Sequence, residues 1–144
     1  MQVATNLDKA EKLSRWRAQF MPFMAVLLLA QQSLFMSWDW RAVTLVQTVG
    51  WCVLALVLLL VLVTGGAWFA TRSVRELAND ELTQSNRSKA IERGFVAALL
   101  TAILVFAVSP IEPITAQRAA HLIVSIGIAV ALLVFGLEER KAFD

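Results

Sequence analysis

Four long apolar stretches alternate with short polar segments along this chain. They cover residues 20–38, 43–70, 94–109 and 119–137. Because a bilayer core about 30 Å thick needs about 20 helical residues per crossing, each stretch predicts a spanning helix. The third stretch is short, so we expect its helix to begin earlier, near Ser88. The second is long, so we expect its helix to tilt or to continue past the membrane through Thr71 to Leu77.

An amphipathic pattern precedes the first span and defines an N-terminal segment, residues 1–19, ahead of a transmembrane domain at 20–137 and a tail at 138–144. Thr5 and Asp8 have the spacing of a capping box. Apolar residues recur every three or four positions, at Val3, Leu7, Ala10, Leu13, Trp16 and Phe20. Together with Lys9, Lys12, Arg15 and Arg17, this pattern predicts a short helix lying against anionic membrane lipid. The alternative is a frayed polar tail.

Positive charge is distributed unevenly between the segments that connect the spans. Eleven Lys and Arg residues lie in the two tails and the middle loop, whereas the other two loops hold only Arg41 and Arg118. The positive-inside rule therefore places both tails and the middle loop in the cytoplasm. Trp16 and Trp68 fit the inner interface, but Trp51 lies too deep for either aromatic belt. The predicted fold class is an all-α membrane protein with four transmembrane helices, short loops and cytoplasmic N and C termini.

Composition agrees with a membrane location and limits what the polar part can do. The chain is 58% hydrophobic and 17% charged, whereas soluble domains are about 45–50% apolar and about 25% charged. Its polar residues are divided among two tails and three loops, too little for a separate soluble catalytic domain. The net charge of +2 is too small to indicate direct nucleic acid binding.

Residue types that membrane enzymes and transporters require are scarce. Cys52 is the single cysteine, which excludes an intramolecular disulfide. Haem ligation across helices needs paired histidines, and His121 is the only one in the sequence. No Asp or Glu lies within a predicted span, where proton-coupled export requires a carboxylate. We therefore expect no enzymatic activity, no catalytic residues, no cofactor and no metal site.

Several polar residues do lie in the spans, and two roles are open to them. They are Gln31, Gln32, Ser33, Gln47, Thr48, Thr64, Thr101 and Ser125. Hydrogen bonds between helices are the favoured role, and a substrate pathway is the alternative. We expect His121 to be an interface residue rather than a ligand, although Glu112 in the same outer loop could pair with it.

Small residues recur at four-residue spacing, at Gly66 and Ala70, Ala98 and Ala102, Ser125 and Ala129, and Gly127 and Ala131. This spacing allows close approach of helix backbones. It does not distinguish packing within one chain from packing between two. Four helices make a thin bundle, so a homodimer is expected.

The middle loop, residues 71–93, is the most informative polar segment. Arg75 is expected to extend the second helix, Asn79 and Asp80 to end it, and Ser85 or Asn86 to cap the third. This predicts a helical hairpin projecting into the cytoplasm. The candidate partner-binding residues are Arg75, Asn79, Asp80, Glu81, Thr83, Asn86 and Arg87. The alternative for this segment is a solvated, well-capped turn.

A longer motif spans this loop and both flanking helices. It reads V-R-E-L-x-N-D-E-L-T-x-x-N-R from Val74 to Arg87, then A-x-x-x-G at Ala90 and Gly94, then L-x-E-R near the C terminus. Over roughly residues 70–140, the chain resembles a group of short bacterial inner-membrane proteins encoded beside small repressor-like helix-turn-helix regulators. The resemblance implies a multi-pass protein of the bacterial inner membrane that inhibits a DNA-binding partner.

The predicted function is to bind and sequester a small cytoplasmic helix-turn-helix transcription regulator. Such regulators present basic residues toward DNA, and the acidic pair Asp80 and Glu81 is suited to engage that surface. Alternatives from other classes are a small transporter or channel component and a structural accessory subunit of a membrane complex.

Overall fold

The computed structural model describes residues 2–36, 43–66, 74 and 81–141. Within these ranges the chain forms four long helices and no strand. They are α1 (Gln2–Met36), α2 (Val43–Thr64), α3 (Glu81–Val108) and α4 (Ala116–Lys141). The predicted all-α class is confirmed.

Three of the helical segments are long and apolar enough to cross a membrane: Val46–Thr64, Glu81–Val108 and Ala116–Lys141. Large apolar side chains on α2 and α3 point away from the rest of the chain, with Leu56 67%, Leu104 65% and Phe106 80% exposed. Contact of such faces with lipid tails is favourable, whereas their exposure to water is unfavourable. These are the properties of a multi-pass membrane protein. The first predicted span, 20–38, lies partly outside the described residues.

α1 packs antiparallel to α4 and supplies much of the buried core. Met21, Ala25 and Leu28 recur at intervals of four and three residues, which places them on one face of α1. They join Leu132 and Phe135 of α4 in a single buried cluster. The predicted N-terminal amphipathic segment is continuous with the helix of the first predicted span, because α1 runs without a break from Gln2 to Met36.

Pro22 lies inside α1, where a proline removes one backbone hydrogen bond and its ring needs space. Gly136 of α4 provides that space. A Cβ atom on Gly136 would collide with the Pro22 ring. The absence of a side chain at residue 136 therefore allows α1 and α4 to pack closely at the proline.

α3 packs antiparallel to α4 through small residues. A Cβ atom added to Gly94 would lie 2.6 Å from the Cβ of Ala131 and 2.7 Å from the carbonyl oxygen of Gly127. One added to Gly127 would lie 2.9 Å from the Cβ of Ala98. The four-residue spacing of Gly127 and Ala131 therefore serves packing within the chain. The homodimer stays a prediction, and its interface cannot use these covered positions.

α2 ends earlier than the sequence predicts. It stops at Thr64, and Gly65 and Gly66 follow with φ angles of 71° and 68°. Glycine adopts this left-handed conformation without a steric penalty, so the glycine pair terminates the helix. The prediction of an unbroken helix through Thr71 to Leu77 is therefore wrong. The predicted end of the span at residue 70 lies outside the described residues, as do all residues from 67 to 80 except Val74.

α3 begins earlier than predicted. It starts at Glu81 rather than near Ser88, which leaves Ser85 and Asn86 inside the helix. The prediction that Ser85 or Asn86 caps the third helix is therefore wrong. Residues 81–93 extend α3 ahead of the predicted span, and Asn86, Ala90 and Gly94 of this helix are buried at four-residue intervals. Packing against α4 therefore stabilises the polar start of α3 as helix.

Candidate partner-binding surface at the charged end of the bundle

The polar parts of α1, α3 and α4 meet at one end of the molecule, here called the charged end. It comprises residues 7–19 of α1, 81–93 of α3 and 138–141 of α4. The antiparallel packing of α1 and α3 on α4 brings these three segments together. The start of α2, the α3–α4 loop and the start of α4 lie at the opposite end, here called the distal end.

One buried carboxylate connects all three helices at the charged end. Ser14 of α1 donates a hydrogen bond from Oγ to Oε2 of Glu139, at 2.9 Å. Asn86 of α3 approaches Oε1 of the same carboxylate with its Nδ2, at 3.5 Å. Glu139 is 2% exposed and Asn86 is 3% exposed. Because hydrogen bonds to a charged group are stronger than neutral ones, this cluster fixes the three helices relative to one another.

Glu139 is buried because of its position on α4. It lies four residues after Phe135 and seven after Leu132, on the face that packs into the core. Arg17 similarly lies four residues before Met21 and is fully buried. Neither residue was predicted from the sequence to be buried. The sequence feature that indicates their burial is their regular spacing from the apolar residues on the inner faces of α1 and α4.

Arg17 also changes the predicted lipid-binding surface of α1. Arg17 was predicted to lie with Lys9, Lys12 and Arg15 against anionic lipid, but its burial removes it from that surface. Lys12 and Arg15 are exposed, and each forms an ion pair with an acidic residue four positions earlier, at 3.0 Å and 2.7 Å. Such exposed pairs contribute about 0.3–0.5 kcal/mol. The acidic partners Asp8 and Glu11 also offset two of the three exposed cations that this face offers to lipid.

Only part of the apolar stripe predicted to face lipid is exposed on α1, namely Leu7 and Trp16. Trp16 stacks on Phe20 with ring centroids 4.3 Å apart, and Trp16 remains 47% exposed. On another side of the helix, Ala10 and Leu13 pack against Val74. Val74, which lies between α2 and α3 in the chain, therefore contacts the first half of α1 and joins the three segments of the charged end.

The predicted partner-binding residues divide into three groups. Glu81 is exposed at the start of α3, and Arg87 is partly buried. Thr83 and Asn86 are buried, so they belong to the helix packing rather than to an open surface. The remaining predicted residues, Arg75, Asn79 and Asp80, lie outside the described residues.

A second set of polar contacts joins α2 to α4 toward the distal end. Gln117 donates from Nε2 to Oγ1 of Thr48 at 3.2 Å. Trp51 donates from Nε1 to Oγ of Ser125 at 3.3 Å, and its ring lies 4.4 Å from that of His121. The preferred role of Thr48 and Ser125, hydrogen bonding between helices, is confirmed. These contacts also explain why Trp51 lies deeper than an aromatic belt.

His121 is buried, at 4% exposure, against Trp51. The indole of Trp51 covers its ring, and its position at the membrane interface stays a prediction. Among the residues that the structure describes, no three His, Cys, Asp or Glu side chains form a group that could hold a metal ion.

Comparison with protein-family models, with curated proteins and with solved structures finds no match for this chain.

Proposed function

We propose that this chain is a four-span protein of the bacterial inner membrane that binds and inhibits a small cytoplasmic helix-turn-helix regulator. The observation that carries the proposal is the charged end. There, polar helical segments of α1 and α3 extend beyond the apolar segments and are fixed by the buried Glu139 cluster. A preorganised helical surface reduces the entropic cost of binding a partner.

The proposed topology rests on charge and helix direction. Of the ten Lys and Arg residues in the described ranges, nine lie at the charged end, and Arg118 alone lies at the distal end. The positive-inside rule favours the charged end as cytoplasmic. α1 is 35 residues long, on the order of 50 Å, which is sufficient to cross the bilayer and still project from it. On this basis, we assign the second half of α1 as a membrane span, in addition to the three spans on α2, α3 and α4.

The proposed contact surface begins at the first turn of α3. Glu81 is exposed there, and the adjacent Leu82 is 54% exposed. An apolar side chain beside an acidic one suits a partner whose surface combines basic and apolar residues. We therefore restrict the proposed surface to the exposed residues and assign Thr83 and Asn86 to the support of α3.

The direct test is a charge reversal with a matched control. Glu81→Lys should weaken retention of the proposed helix-turn-helix regulator at least tenfold, equivalent to about 1.4 kcal/mol. Glu112→Lys makes the same change on an exposed residue of the distal end, and it should leave retention unchanged. The measurement is co-purification from membranes, together with a reporter for the target promoter of the regulator.

Either of two outcomes would contradict the proposal at this surface. Equal retention by both variants would remove Glu81 from the contact and direct attention to the exposed face of α1 around Trp16. No retention by the unaltered chain would contradict inhibition by sequestration altogether. The alternatives would then be a transport component or a structural subunit of a membrane complex.

A further inference from the structure

A cavity opens between α3 and α4 at the charged end. Its volume is about 380 Å³, within the range of about 300–1,000 Å³ that small-molecule sites occupy. The residues that line it are Arg93, Val134, Leu137, Glu138, Arg140 and Lys141. It lies beside the buried Glu139 cluster and shares no lining residue with it.

The lining of this cavity carries a net positive charge. Arg93, Arg140 and Lys141 supply three cations, whereas Glu138 supplies the one carboxylate among the lining residues. Glu138 is bound to Lys141 at 2.8 Å and also interacts electrostatically with Arg93. It offsets one of the three cations, so the lining keeps a net charge of +2 with the guanidinium groups of Arg93 and Arg140. Guanidinium groups bind phosphate oxygens in a bidentate manner. The cavity therefore favours a phosphate-bearing anion.

The opposite part of the lining is apolar and points to a lipid. Val134 and Leu137 precede Arg140 by one to two helical turns on α4, and Leu137 is 52% exposed. Residue 93 immediately precedes the third apolar stretch, and residue 137 ends the fourth. The cavity therefore lies where polar and apolar parts of both helices meet, as the phosphate and acyl chains of a phospholipid do.

We propose that this cavity binds the phosphate headgroup of an anionic phospholipid through Arg93 and Arg140, with an acyl chain along Val134 and Leu137. The site does not depend on the proposed regulator, because it needs only a membrane location. It would hold the cytoplasmic ends of α3 and α4 at a fixed depth in the bilayer.

The test uses the full chain in mild detergent and measures bound lipid by native mass spectrometry. Phosphatidylglycerol should bind in preference to phosphatidylcholine, and inorganic phosphate should not compete at similar concentrations. The double variant Arg93→Gln/Arg140→Gln should lose binding at least tenfold. The control Lys9→Gln/Lys12→Gln removes the same charge from α1 and should retain affinity within about twofold, since a formal charge away from the cavity acts only through a screened field.

Three results would overturn the proposal. Equal binding of the two phospholipids would show that charge does not select the lipid. Equal losses in both double variants would show general attraction to the charged end rather than a site. Competition by inorganic phosphate would show a phosphate site without a lipid requirement. If the Arg93/Arg140 variant did not fold, the lipid and phosphate comparisons on the unaltered chain would still decide between these results.

Discussion

The close approach of α3 and α4 makes a quantitative prediction for Gly94. In Gly94→Ala, the new methyl group would lie 2.6 Å from the Cβ of Ala131 and 2.7 Å from the carbonyl oxygen of Gly127. Both neighbours belong to the α4 backbone or are bonded directly to it, so neither can rotate away and the helices must separate. Overpacking of this kind costs about 1–3 kcal/mol.

Gly50→Ala in α2 is the matched control, because a Cβ atom at Gly50 would meet no atom within 4 Å apart from the adjacent backbone of its own helix. Alanine is favoured over glycine in a helix by about 1 kcal/mol, and both variants gain this contribution. The difference between their unfolding free energies therefore isolates the collision. Gly50→Ala should be neutral or stabilising, and Gly94→Ala should be less stable than Gly50→Ala by about 1–3 kcal/mol.

The assay is reversible unfolding in mixed detergent micelles, followed by far-ultraviolet circular dichroism. Gly127→Ala provides an intermediate case, because its contacts are longer: the Cβ of Ala98 at 2.9 Å and the carbonyl oxygen of Gly94 at 3.3 Å. Stability should fall in the order Gly50→Ala, Gly127→Ala, Gly94→Ala. If Gly94→Ala were as stable as Gly50→Ala, α3 and α4 could not be in backbone contact and the packing described above would be refuted.

Three further predictions concern topology and the two polar clusters. Reporter fusions after Asp144 should report the cytoplasm, and a fusion at Glu112 should report the outer side; the reverse pattern would contradict the proposed orientation. Glu139→Ala removes the acceptor shared by α1 and α3 and should lower the unfolding free energy by about 1.5–3 kcal/mol, whereas Glu138→Ala should have a smaller effect. Ser125→Ala removes the acceptor of the α2 indole and should cost about 0.6 kcal/mol; no change would mean that this hydrogen bond adds nothing to the packing of α2.

The sequence by itself determined the helical class and the position of most membrane-crossing segments. Apolar runs near the length of a bilayer crossing are sufficient for this, because backbone groups in lipid must hydrogen-bond within the segment. The ends of the helices were less predictable. The glycine pair after Thr64 is visible in the sequence, but hydropathy alone predicts a second span that continues past these glycines to residue 70. Hydropathy measures transfer to lipid and does not register the left-handed backbone that terminates a helix.

Tertiary structure alone decided which polar residues of the charged end face inward. From the sequence, Thr83 and Asn86 were predicted to lie in an open loop, because residues of these types are common in turns. Packing of α3 on α4 placed them in the interior instead, where Asn86 meets Glu139 across 53 positions in the chain. Local sequence contains no information on which distant helix will cover a given face. The same reason applies to Gly127 and Ala131: their spacing favoured close packing, but only the fold identified α3 of the same chain as the helix that packs there.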